Sequence, residues 1–263
     1  MTNIELSNDY TIWFDEYVNS FVVAQPELKE NLLIKAEHSK NVRDRIIDIA
    51  QDLDFSEHDM FLAEILGLFH DIGRFEQYAK YQTFSDSDSQ NHAELGVKVL
   101  KEQNTFHKFS DEDKMLLYKA ITYHSRAKIP EDESQRVTLF SKLIRDADKL
   151  DIWRLVTEYY MVKEDHQNSS LELGLPDSTK ISAHVVQSII TREIVKKEDM
   201  KTLNDFKLLQ IAWVFDLNFS FSKRYLKEKK YLDKIFNTLP QNCDIDLIKE
   251  IVYSELEVTN TAE

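Results

Sequence analysis

The chain has 263 residues, 42% of them hydrophobic, which is enough for a sizeable core and argues against overall disorder. Its 47 Asp and Glu outnumber 33 Lys and Arg, and the resulting charge of -14 disfavours extended nucleic acid, whose phosphates require clustered bases. Four Gly and four Pro, set against abundant Leu, Lys, Glu and Ile, predict an all-α protein.

Two further exclusions concern location. The single Cys243 cannot form an internal disulfide and suits a reducing cytosol. No run approaches the roughly 18 apolar residues of a membrane span, and the acidic N-terminus lacks a signal-peptide pattern. A cytoplasmic protein with no membrane partner is the expectation.

Residues Tyr10 to Ala24 carry Ile12, Trp13, Tyr17, Phe21 and Val22 at helical spacing, and Pro26 opens a new segment. A second helix is predicted from Glu27 to Leu53, with His38, Val42, Ile46, Ile49 and Leu53 along one side, so His38 faces inward. Ser56 and Asp59 read as a capping box ahead of the apolar run Met60 to Phe69. That helix ends at His70-Asp71, with Gly73 as its C-terminal cap presenting both side chains at an exposed edge. The polar stretch Gln82 to Asn91 is a loop, read as a mobile lid beside His92; its alternating Asp residues lack the glycine and glutamate of a calcium loop.

A helix begins near His92 with Gly96, Val99 and Leu100 on its inner face. Ser110 to Asp113 cap the next, where Leu117, Ala120, Ile121 and His124 share a stripe before Pro130. A further helix is predicted from Gln135 to Met161. After a polar loop from Lys163 to Pro176, amphipathic helices are predicted over Ile181 to Ile194, Phe206 to Phe219 and Leu247 to Leu256, and Val258 to Glu263 read as frayed. The expected organisation is a helical core over residues 1–162 with a helical extension over 163–263 packed on the same domain.

His38, His70 with Asp71, His92, His124 and Asp148 thus each occupy the inner face or the end of a predicted helix. Helical proteins build metal sites by converging several helices on one centre, and imidazole with carboxylate is a favoured ligand set for divalent first-row metals. Any one such histidine is more often a hydrogen-bonded core residue; the ordered set carries the signal. His58, His107, His166 and His184 fall in polar contexts or outside the pattern.

The order H…HD…H…H…D resembles the HD-domain superfamily of metal-dependent phosphohydrolases. The local contexts agree: H-S-K-N-V at His38, L-F-H-D-I-G-R at His70, N-H-A-E-L-G-V-K-V-L at His92, Y-H-S-R at His124 and R-D-A-D-K-L-D at Asp148. This resemblance spans residues 38–151 and implies an HD-like helical bundle. It implies that His38, His70, Asp71 and Asp148 hold one divalent ion (Mn, Fe, Mg, Ni or Co). A second ion would be bridged by Asp71 and completed by His92 and His124. A metal-bound water would then cleave a phosphate ester or anhydride of a small metabolite, most plausibly a nucleotide, with no separate side-chain base.

Asp146 and Asp148 are about 200° apart on a helix, so only one can enter a pocket. Asp148 follows a small residue as the family's last aspartate does, leaving Asp146 as a supporting or surface group and Asp151 as a ligand-orienting group or a solvent contact. Arg74 stands where many family members place a phosphate-contacting lysine, and its fork could bind two phosphate oxygens; its plainer role is a surface ion pair with Glu76 or a nearby acid. Lys149 and Arg126 are further phosphate-binding candidates. Trp153, Tyr159, Tyr160 and Trp213 could stack on a base but fit a helical core better.

Two other readings stand beside hydrolysis: a di-iron oxygenase, since six-ligand sites in some relatives activate oxygen, and a non-catalytic nucleotide-binding protein. The H-D-x-x-E motif of one nucleotidase subgroup is absent, with Arg74 in place of its glutamate, as is the G-Y-P signature of the cyclic-dinucleotide branch. The C-terminal helices could line the pocket or form a homodimer interface.

Overall fold

A computed structural model describes residues 2–162 and 167–257, and all regular secondary structure among them is helical. No helix among these residues is long and apolar enough to cross a membrane. The chain forms two compact units, Met1–Asp151 and Ile152–Glu263. Their division falls inside one long helix, before the polar loop that marks the change in sequence.

The first unit starts with α1 (Asn3–Ala24), longer at its start than its apolar spacing suggests. Thr2 and Glu5 form a reciprocal capping box there, satisfying two donors that a helix end leaves open. It is followed by α2 (Lys29–Asp52) and α3 (Glu57–Phe69), which pack along each other. Ile46 and Ile49 of α2 and Leu62, Ile65 and Leu66 of α3 are fully buried, each worth about 1.5–3 kcal/mol of transfer free energy. Phe69 meets Tyr10 and Phe106 edge-on at 6.0 and 5.5 Å, which ties α1 and the segment after α5 to the end of α3.

Two glycines set how closely this bundle closes. A Cβ on Gly67 would lie 2.7 Å from Arg43 Cα, so α3 meets α2 backbone to backbone. Gly73 does not cap α3 as its position suggests. It is the first residue of α4 (Gly73–Tyr81), and a Cβ there would lie 2.1 Å from the His92 carbonyl oxygen. His70-Asp71-Ile72 form the tight turn between α3 and α4, and this turn is buried rather than exposed.

The unit is completed by α5 (His92–Glu102), α6 (Asp111–His124) and the first half of α7 (Gln135–Val162). Asn91 caps α5 by accepting from Glu94 N, and Ser110 caps α6 by accepting from Asp113 N.

The second unit holds the rest of α7, then α8 (Ala183–Ile190), α9 (Leu203–Ala212), α10 (Ser220–Lys229), α11 (Tyr231–Phe236) and α12 (Cys243–Glu257). Two of these helices are shorter than the apolar spacing predicts. Past Ile190 the chain turns at Arg192, which takes a left-handed φ of 56°. Past Ala212 it tightens into a 3-10 turn, Trp213–Asp216, after which the Asn218 side chain bonds the Asp216 carbonyl. Of the aromatic residues at helical spacing, Trp153 and Tyr159 lie in the core and Tyr160 and Trp213 are half-buried; Trp153 donates to the Gln210 carbonyl at 3.0 Å, and Tyr160 donates to Gln210 Oε1. The expected frayed end, Val258 to Glu263, and His166 lie outside the described residues.

Candidate metal centre

Six side chains from five places in the first unit converge. His38 stands mid-way along α2, His70 and Asp71 in the turn after α3, His92 at the start of α5, His124 at the end of α6 and Asp148 on α7. The four histidines and Asp71 are buried, and Asp148 is half-buried. The Gly67 contact brings His70 beside His38, with ring centroids 5.3 Å apart, and the Gly73 contact brings Asp71 beside His92.

Each imidazole is oriented through its Nδ1. His70 and His124 bond the carbonyls of Gly67 and Ile121, three residues earlier in their own helices, at 2.8 and 2.6 Å. His38 bonds Asp151 at 2.7 Å, and His92 lies 2.8 and 2.9 Å from the two oxygens of Asp86. With every Nδ1 facing an acceptor, the Nε2 atoms are left to face inward.

The inward atoms divide between the two oxygens of Asp71. Its Oδ2 lies 3.7 Å from His38 Nε2 and 3.8 Å from His70 Nε2, both of which also face Asp148 Oδ1 at 3.1 and 3.6 Å. Its Oδ1 lies 3.3 Å from His92 Nε2 and 3.6 Å from His124 Nε2. Three triads result, His38-His70-Asp71, His70-His124-Asp148 and Asp71-His92-His124, each with its ligand atoms within 4.8 Å of one another.

The donor set fits a divalent metal. His38 Nε2 and His70 Nε2 are buried without a hydrogen-bond partner among the described residues, the 3.1 Å approach of His38 to Asp148 being an ion-pair distance rather than an aligned bond. Buried polar atoms ordinarily find partners, and imidazole nitrogens gathered around carboxylates satisfy one another poorly except through a cation.

The charges within the cluster are strongly coupled. Burial works against the ionised Asp71, but Lys35, His70 and Arg74 hold its carboxyl well below the usual range. Burial likewise opposes Asp148, and the neighbouring His38 and His70 imidazoles hold it well below the usual carboxylate range. Burial and Lys35 depress His38, yet Asp148 and Asp151 outweigh them and leave it raised. For His92, burial and Arg74 prevail and push it down to about 3.

Residues 36–153 match the HD domain family. This part of the chain is similar to HD domains. The matched stretch brackets the whole ligand series from His38 to Asp148, and HD domains are generally metal-dependent phosphohydrolases. No curated protein and no solved structure matches the chain.

The charged candidates around the candidate ligand cluster have unequal placements. Of the nearby acids, Arg74 pairs with Asp86, at 3.0 Å, and it also donates to the Phe84 carbonyl and Gln77 Oε1. Its Nε, 3.5 Å from Asp71 Oδ1, has no hydrogen-bond partner among the described residues. Lys149 is buried and donates back to the Arg145 carbonyl at 3.2 Å. Arg126 is exposed, its guanidinium 5.1 Å from the Tyr123 ring centroid. Asp146 is fully buried, and Asp151 takes the ligand-orienting role at His38. His58, His107 and His184 are exposed.

Four residues of the site escape sequence reasoning. Lys35, one turn before His38 on α2, reaches Asp71 Oδ2 at 2.9 Å. Arg145 donates to the carbonyls of Tyr123, His124 and Arg126, closing the end of the helix that carries His124. Asp86 and Gln77 tie the 82–91 segment to α4 and to His92. A carboxylate six residues before a histidine in a polar loop, or a lysine one helical turn before a histidine, is a weak signal unless the helix face is already known.

Proposed function

We propose that this protein is a metal-dependent phosphohydrolase acting on a small phosphorylated metabolite, most plausibly a nucleotide. One observation carries the reading: the two oxygens of Asp71 face different histidine pairs, as a carboxylate bridging two ions would. His38, His70, Asp71 and Asp148 would hold one divalent ion, and Asp71, His92 and His124 the other. Such ions supply an activated water and offset the charge of the attacked phosphate.

The chain's own residues contribute binding and orientation. Lys35 has a side chain 14% exposed and pairs with Asp71, and in this reading its ammonium would meet a phosphate oxygen. Arg74 turns its unpartnered Nε toward Asp71 and offers a second donor from the other side. Lys149 and Arg126 do not enter this reading, because their described contacts draw them back to α7 and to Tyr123.

Metal analysis of protein purified without chelator, joined to a phosphate-release assay on nucleotides and phosphomonoesters, tests the proposal. Two ions per chain and release that is lost in Asp71→Ala are expected. Equal release by both proteins would sink it, and oxygen consumption without phosphate release would replace it with the oxygenase reading.

A further inference from the structure

The two halves of the ligand cluster are braced alike but not equally. Each contains one histidine steadied by a carbonyl of its own helix, His70 or His124, and one steadied by a carboxylate from elsewhere in the chain, His38 or His92. The carboxylate behind His38 is Asp151, on the long helix α7 and 2% exposed. The one behind His92 is Asp86, in the 3-10 turn Asp86–Asp88 of the segment joining α4 to α5, and 32% exposed.

Side chains of α4 clamp that segment in place. Buried Gln77 donates through Nε2 to Asp86 Oδ1 at 2.8 Å, to Ser89 Oγ at 2.9 Å and to the Gln90 carbonyl at 2.7 Å. Arg74 adds its bonds to Asp86 and the Phe84 carbonyl, and Ser89 Oγ closes the turn on the Ser85 carbonyl at 2.8 Å. The segment is therefore bonded down, in place of the free lid that its composition suggests. Its bonds nonetheless run to a short, partly solvated turn, whereas Asp151 belongs to a helix interior. Partly solvated hydrogen bonds open more readily than those of a packed helix.

We infer that Asp86 is a positioning residue for the His92-His124 half of the centre, so that occupancy of this half by a divalent ion depends on the order of residues 82–91. The His38-His70-Asp148 half, braced by Asp151, does not depend on that segment. It follows that the ion on the His92 side is the weaker and more readily exchanged of the two. This inference rests on the proposed two-ion reading of the cluster. Partners that orient a ligating histidine affect metal affinity by about tenfold to a hundredfold, which sets the size of the effect.

The test titrates full-length, metal-stripped protein with Mn2+ and reads free ion by electron paramagnetic resonance, with hydrogen exchange of residues 82–91 followed in parallel. Wild type is expected to show two unequal sites, and protection of the segment should rise with the second equivalent rather than the first. Asp86→Asn should weaken only the weaker site, by about tenfold to a hundredfold, while Asp151→Asn weakens the tighter one. The unchanged tight site in Asp86→Asn reports that the protein is folded. Should that variant not fold, Ser89→Ala, which loosens the segment and leaves the Asp86–His92 pair intact, should move the weaker site in the same direction by a smaller factor.

Two unaltered sites in Asp86→Asn, or equal weakening of both, would overturn the inference and leave the two-ion reading standing. Wild-type protein that binds one ion or none would overturn both together.

Discussion

Gly73 and His92 touch through their backbones: a single β-carbon added to the glycine would lie 2.1 Å from the histidine's carbonyl oxygen. That atom cannot move without shifting the first turn of α5, so Gly73→Ala should cost at least the 1–3 kcal/mol typical of overpacking, about 2–4 °C in melting temperature per kcal/mol. A melt indistinguishable from wild type would contradict the contact.

Arg145 offers a different kind of test. It is buried, and its guanidinium serves the carbonyls at the end of α6, the helix whose last residue is His124. Arg145→Leu should lower stability by about 1.5–3 kcal/mol, the worth of hydrogen bonds from a charged group, measured by urea unfolding. The same variant should weaken Mn2+ binding on the His92-His124 side, and loss of stability without a change in metal affinity would separate the two effects.

Lys35 should be dispensable for metal and needed for substrate, if its ammonium meets a phosphate oxygen. In Lys35→Gln the expected outcome is a KM raised roughly tenfold with two ions still bound, in keeping with the loss of one charge-assisted bond. An unchanged KM would remove Lys35 from the substrate's path.

Tyr10 provides a pH signature from a residue outside the candidate ligand set. Burial first, then the neighbouring Asp9 and Tyr118, push its phenol up to about 12 from the ordinary 10. Since the folded-state value is the raised one, this contribution to stability is complete below pH 10 and is lost as pH rises toward 12. Its hydroxyl is also buried without a hydrogen-bond partner among the described residues. Tyr10→Phe should therefore be no less stable than wild type at pH 7, and it should lose less stability than wild type between pH 10 and 12 in parallel thermal melts.

What the sequence disclosed and what it hid follow from a common physical cause. His38, His92, His124 and Asp148 are readable because a helical period places each among apolar neighbours whose burial is predictable. Gly73 was open to misreading, since glycine after an apolar helix usually serves a left-handed cap; here the need is for closeness to α5, a property of two segments rather than one. Arg74, Lys35, Asp86 and Arg145 carry charges whose ordinary fate is solvation, so only the fold reveals which of them turn inward. The short α10 and α11, with Lys and Tyr between apolar residues, show the same limit, because weak amphipathicity over a few turns leaves helix and loop close in free energy.

The bracing of all four imidazoles by other groups of the chain has a consequence for energetics. Each ring is held by a carbonyl or a carboxylate, and close backbone contact at Gly67 and Gly73 sets the spacing of α2 to α3 and of α4 to α5. The conformational entropy lost in gathering residues 38 to 148 into one cluster is therefore spent when the first unit folds. Little ordering is left for a bound ion to impose, except in the stretch around Asp86, so the heat and entropy of metal uptake should report mainly on that stretch and on released water.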